Sequence, residues 1–194
     1  NNLIQVFDSN FKFIGILDVP KKLNRPASIA IVNDYIVILE RDNFDDSSIF
    51  AYNINHDTMT LSTKKDFKPK FKLSDPQDMC STKNNSIIIA DTLNRRIVEI
   101  DLFGNQINYV DMAKISKNNR ILVKTVYYSE DDKIITADFE KCILYIFDDK
   151  FRLLNLIDLS EYLTDFKVIR SVFLNKSHIY IGVRGLNQII KLNL

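Results

Sequence analysis

Val6-Phe7-Asp8-Ser9-Asn10-Phe11-Lys12-Phe13-Ile14-Gly15-Ile16-Leu17-Asp18-Val19 recurs in residue character as Ile146-Phe147-Asp148-Asp149-Lys150-Phe151-Arg152-Leu153-Leu154-Asn155-Leu156-Ile157-Asp158-Leu159, 140 residues further on. Each copy runs from an apolar stretch to an acid, through a short polar turn, and back along a second apolar stretch. That is the pattern of a hairpin. Ile100-Asp101-Leu102-Phe103-Gly104-Asn105-Gln106-Ile107 fits the same register between them. The polar residue closing each such strand falls at Asp8, Asn53, Asp101, Asp148 and Asn193, in steps of 45, 48, 47 and 45 residues. A second marker agrees: Ile29, Met79, Val126 and Val172 open the first strand of successive units, 50, 47 and 46 residues apart.

A period near 45 residues built from short strands, with long helical periodicity absent, predicts an all-β protein of the β-propeller class. Each unit is then one blade of four strands, a to d, that buries its faces only by stacking against its neighbours. The register predicts blade remnants over 1–19, full blades over 26–62, 76–112 and 123–159, and an incomplete blade over 169–194. These are about four and a quarter blades in a single domain. Asn1-Asn2-Leu3-Ile4 reads as the middle of a strand, so the expectation is a piece of a longer, six-bladed ring. The remaining blades would come from the rest of that chain or from another chain. A single helical turn is expected only at Ser160-Glu161-Tyr162-Leu163.

One blade carries a fingerprint. Pro76-Gln77-Asp78-Met79 is followed by Ile87-Ile88-Ile89-Ala90-Asp91-Thr92-Leu93-Asn94-Arg95-Arg96-Ile97-Val98-Glu99-Ile100-Asp101-Leu102-Phe103-Gly104. This resembles the NHL repeat: a Pro opening the first strand, an apolar strand ending in Ala-Asp, Asn-x-Arg-Ile entering the third, then a turn Gly. Ala137-Asp138 and Ile143 keep part of the pattern in the next blade, while Glu40 and Val183 replace the Asp elsewhere. The resemblance implies a six-bladed propeller. It also implies that some relatives are metal-dependent enzymes, such as amidating lyases with metal-bound histidines, or bind single-stranded RNA.

Composition narrows the function classes. Hydrophobic residues make up 46% and charged residues 26%, as in ordinary globular chains. A net charge of +1 argues against a polyanion-binding surface resting on many phosphate contacts. Two cysteines, Cys80 and Cys142, exclude a four-cysteine zinc site and a disulfide framework, and read as buried free thiols. Apolar runs are strand-sized, far short of the roughly 18 residues of a spanning helix. The opening residues carry no signal-like segment, and the sequence assigns no compartment.

In a propeller the b–c loops and d–a links share one end of the ring, where several blades converge. Gln77, Lys124 and Arg170 hold equivalent positions in three successive blades, beside Asp78, Thr125 and Ser171. Symmetry predicts that they reach one mouth, where two cations and an amide hold an anionic group. Arg25, Arg95 and Arg184 join the ligand-binding candidates. Arg41, Asp42, Asn43, Asp45, Asp46, Arg96, Glu140, Lys141 and Asn187 also rim that face. Asp91 and Asn94 are expected to serve the turn itself. His56 and His178 fall in turns at the opposite end, so no zinc or His-based site can be built with the loop acids. No cofactor is expected. Calcium on Asp91 and Asp138 oxygens is the one metal arrangement the acids suggest.

The sequence therefore predicts a non-catalytic binding or scaffold propeller that presents b–c and d–a loops to a protein, peptide or glycan. The alternative is a metal-dependent hydrolase or lyase of the gluconolactonase or amidating-lyase kind, with part of its site outside these residues. Catalytic residues are not assigned. Seven bases against six acids on that face argue against nucleic acid.

Overall fold

The computed structural model describes residues 2–19, 22–41, 48–55, 58, 60–65, 67–161, 163, 168–175, 177–185 and 188–193. Seventeen strands occur among them. β1 (Gln5–Phe7) and β2 (Phe13–Ile16) form a two-stranded sheet. Three four-stranded sheets follow: β3 to β6 (Pro26–Val32, Tyr35–Glu40, Ser48–Asn55, Thr60–Lys65), β7 to β10 (Pro76–Ser81, Ile87–Asp91, Arg96–Ile100, Gln106–Asp111) and β11 to β14 (Val123–Tyr128, Lys133–Asp138, Ile143–Asp148, Leu153–Asp158). β15 (Val168–Asn175), β16 (His178–Arg184) and β17 (Gln188–Asn193) form a three-stranded sheet. All pairings are antiparallel between consecutive strands, as a meander requires. This is a propeller, and its blades coincide with the repeat units.

The middle strands of the three four-stranded blades are buried on both faces, which is why Ile87-Ile88-Ile89-Ala90-Asp91 is apolar almost without alternation. Its odd and even side chains enter different cores. Ile87 and Ile89 join Ala30, Val37, Leu39 and Val98 between the first and second full blades. Ile88 and Ala90 join Ile97, Val126, Ile134 and Phe147 between the second and third. The innermost strands contact one another in sequence, β3 with β7, β7 with β11 and β11 with β15. Met79, Val126 and Val172, at the repeat marker, are 3%, 4% and 7% exposed, whereas the equivalent Ile29 is 42% exposed. An inner strand precedes each of the first three, and none precedes β3 among the described residues.

One carboxylate stitches the inner strands together. Asp78 Oδ1 accepts from Ser28 Oγ at 2.8 Å and from the Met79 N–H at 2.9 Å. Its Oδ2 accepts from Thr125 Oγ1 at 3.0 Å and from the Val126 N–H at 3.1 Å. Three consecutive blades thus meet on one side chain near the axis.

The helix lies elsewhere than expected. α1 (Met112–Ser116) occupies the link between β10 and β11, where Asp111 caps it by accepting from the Ala113 and Lys114 N–H groups, and Lys117 ends it in a left-handed conformation. At residues 160–163, where a single turn was expected, the bond from the Leu163 N–H to the Leu159 carbonyl, 2.9 Å, closes one. Asp42, Asn43, Asp45, Asp46, His56, Tyr162 and Asn187 lie outside the described residues.

Candidate functional site

The end of the propeller carrying the b–c loops and d–a links holds the candidate site. Asp75 sits at the entrance to β7 with φ of 46°, buried, with both oxygens occupied. Arg41 donates to Oδ1 through Nε at 3.1 Å and Nη2 at 2.8 Å, and Gln77 Nε2 donates to Oδ2 at 2.6 Å. Arg41 comes from the b–c loop of one blade; Asp75 and Gln77 belong to the next. A fixed ion pair thus spans two blades.

Beside it stands a second group. The Lys124 Nζ lies 3.7 Å from the centre of the Phe139 ring, and the Arg170 guanidinium carbon 5.7 Å from the same centre. Lys124 belongs to β11, Phe139 to the following b–c loop, and Arg170 to β15 of the next blade. Burial, then the nearby Arg170 charge, hold the Lys124 ammonium pKa below its ordinary value. Arg41 acts in the same direction, while Asp75 and Glu140 oppose it. The two groups stand at the same end of neighbouring blades, whose inner strands β7 and β11 are in contact.

Of the repeat positions, Lys124 and Arg170 share the Phe139 ring, while Gln77 is held on Asp75. Arg184 joins them indirectly: with Arg170, Gly182, Val183, Gln188 and Ile189 it lines a shallow cleft of about 330 Å³. Arg95 does not join, because its Nη1 donates to the Asn119 carbonyl at 3.0 Å. Arg25 is exposed, and its carbonyl accepts from the Arg41 N–H at 3.2 Å. Sequence reasoning passed over Asp75 and Phe139. An acid directly before Pro76 and one aromatic in a polar b–c loop were the available signals.

Asp91 and Asp138, the calcium candidates, have different fates. Asp91 is fully buried and accepts from the Ser74 N–H at 2.7 Å, Asn94 Nδ2 at 2.9 Å and Arg96 Nε at 2.7 Å. Its charge is matched by Arg96, which also lies 5.0 Å over the Phe71 ring, so its oxygens are already committed to the turn. Asp138 Oδ1 accepts from the Glu140 and Lys141 N–H groups at 3.0 and 3.2 Å. Its buried Oδ2 has no hydrogen-bond partner. Lys141 and Ile143 stand where the preceding blade has Asn94 and Arg96. No group of three His, Cys, Asp or Glu side chains able to hold a metal occurs among the described residues. His178 stands at the far end, with Nδ1 3.2 Å from Ser177 Oγ. Burial pushes up both the Cys80 and the Cys142 thiol.

Comparison with known proteins bears on the fold. No protein-family model and no curated protein matches the sequence. Among solved structures, virginiamycin B lyase from Staphylococcus aureus is similar over 100% of this chain and 59% of its own, with a TM-score of 0.68 at 12% identity. A streptogramin B lyase is similar over 100% of this chain and 62% of its own, with a TM-score of 0.67 at 14% identity. The computationally designed protein Ika4 matches over 92% of this chain and 96% of its own, with a TM-score of 0.60 at 9% identity. The chain thus spans about three fifths of the lyases' length. At these identities the likeness is one of fold. The protein is a β-propeller.

Proposed function

We propose that these blades belong to an NHL-type propeller that acts as a non-catalytic recognition module, presenting its b–c and d–a loops to a protein, peptide or glycan. One observation carries this reading. Arg41, Asp75, Lys124, Phe139 and Arg170, drawn from four successive blades, meet at one mouth. Rigid strands hold these groups while the loops between them remain free to vary, which suits binding. The Asp91 and Asn94-x-Arg96 positions support the NHL assignment, since the Asn94 and Arg96 side chains donate to Asp91 and so build the b–c turn.

Selection from displayed peptide and glycan libraries on the immobilised protein tests the reading. Ligands recovered should lose affinity in R184E, beside Arg170 on the mouth side, and keep it in K150E, in the c–d turn at the far end. Ligands sensitive only to K150E would refute the assignment of the face. One tightly held calcium or zinc per chain, found by metal analysis, would instead support the lyase-like alternative.

A further inference from the structure

We infer that Lys124 and Arg170 grip a carboxylate of an acidic peptide at this mouth, an inference that rests on the recognition reading and names its ligand. The geometry supplies the reason. Arg41, Arg96, Arg152, Lys83 and Lys133 each pair with a carboxylate within the protein. Lys124 and Arg170 form no ion pair among the described residues and instead share one face-bound contact with Phe139. Two cations on one ring repel each other, and part of Lys124 is out of water. A carboxylate between them offsets both costs, and a guanidinium with an ammonium matches its two oxygens.

The mouth cannot satisfy itself. Asp75, the buried acid nearby, already has its two oxygens on Arg41 and Gln77. Glu140 is exposed and acts on Lys124 only through its charge. Two features favour a peptide over a sugar or a phosphate. Lys124 occupies the ring of Phe139, which removes the aromatic face on which a sugar ring would stack. Asp75 and Glu140 beside the cations disfavour a dianion. Next to Arg170, the cleft of about 330 Å³ with Val183, Ile189 and Arg184 on its wall has room for an apolar residue adjoining the acid.

The test is a fluorescence anisotropy titration of a labelled hexapeptide of alternating glutamate and leucine, with its glutamine–leucine twin as reference. The acidic peptide should bind and the twin should bind at least tenfold more weakly. K124A with R170A should weaken the acidic peptide about tenfold or more, as losing hydrogen bonds to a charged group does. The charge-keeping pair K124R with R170K should retain most of the affinity, and K150E all of it. Absence of binding by the acidic peptide, equal binding of the twin, or full affinity in the K124A/R170A protein would each overturn the inference. So would displacement of the peptide by inorganic phosphate or a glucuronate trisaccharide at lower concentration than by free acidic peptide. A library ligand lost in R184E but indifferent to K124A/R170A would overturn this subsite and leave the recognition reading standing.

Discussion

Replacing Asp91 should destabilise the propeller far more than replacing Asp138, although the two occupy the same position in adjacent blades. Asp91→Ala removes a fully buried carboxylate that holds the Ser74 N–H, Asn94 and Arg96. Arg96 would keep only its 3.2 Å bond to the Lys72 carbonyl and its place over Phe71. Breaking one partner out of a buried ion pair costs about 3–5 kcal/mol. At about 2–4 °C per kcal/mol for a chain of this size, the melting temperature should fall by roughly 6–20 °C. Asp138→Ala loses two backbone hydrogen bonds to Oδ1 but also removes the unpartnered Oδ2. The two effects oppose, so its cost should stay near 1 kcal/mol. Grafting the neighbouring blade's partners, Lys141→Asn with Ile143→Arg, should raise stability by giving Oδ2 a donor. Calorimetry and urea unfolding read all three, with an unchanged denaturant slope as the check that the unfolded state is the same. Melting temperatures of D91A and D138A within about 2 °C of one another would refute the reasoning.

Other outcomes are accessible to simple measurements. Burial is the leading influence on Asp78 and raises its pKa above the ordinary carboxylate value, against the pull of its four hydrogen bonds. A raised folded pKa means the protonated form is favoured by folding. Its stabilising contribution is complete below the unfolded pKa and disappears as pH rises through the folded value. Wild-type stability should therefore fall relative to D78N as pH rises upward from about 4, and parallel pH profiles would contradict this. Gly104 has φ of +78°, and a Cβ built there would lie 2.1 Å from the Lys68 carbonyl oxygen. Gly104→Ala should accordingly cost more than about 1 kcal/mol in urea melts, and a neutral result would show that the link through Lys68 gives way freely. Because burial and the nearby Arg170 charge hold the Lys124 pKa below the ordinary lysine value, acidic-peptide affinity should decline as pH rises through the range below that value. Asp75 and Glu140 are the acids that act on it, and Arg41 and Arg170 the cations. Affinity flat up to the ordinary lysine range would contradict the Lys124 role.

The strand plan was legible because its causes are local. The strands Tyr35–Glu40 and Lys133–Asp138 fall inside the blades expected over 26–62 and 123–159. Apolar runs and Asp/Asn turn residues act within a few positions of each other. The convergence of Lys124 and Arg170 was legible for a related reason: equivalent positions in a repeat arrive at equivalent places around an axis. Helix α1 was not, since five residues carry too little periodicity, and its Asp111 cap looks like one more strand-ending acid. Asp75 was missed because the charge that engages it, Arg41, lies 34 residues back on another blade.

What the sequence determined alone is therefore the module, its length and its inward and outward faces, since alternation and turn chemistry need no distant partner. Tertiary structure decided which acids carry a matched charge. Asp78 takes its partners from Ser28 and Thr125, 50 and 47 residues away, about one repeat in each direction. Asp91 finds Arg96 where Asp138 has only Ile143 in register. A charge is satisfied by whatever reaches it in space, and only stacking the blades sets which side chains do so.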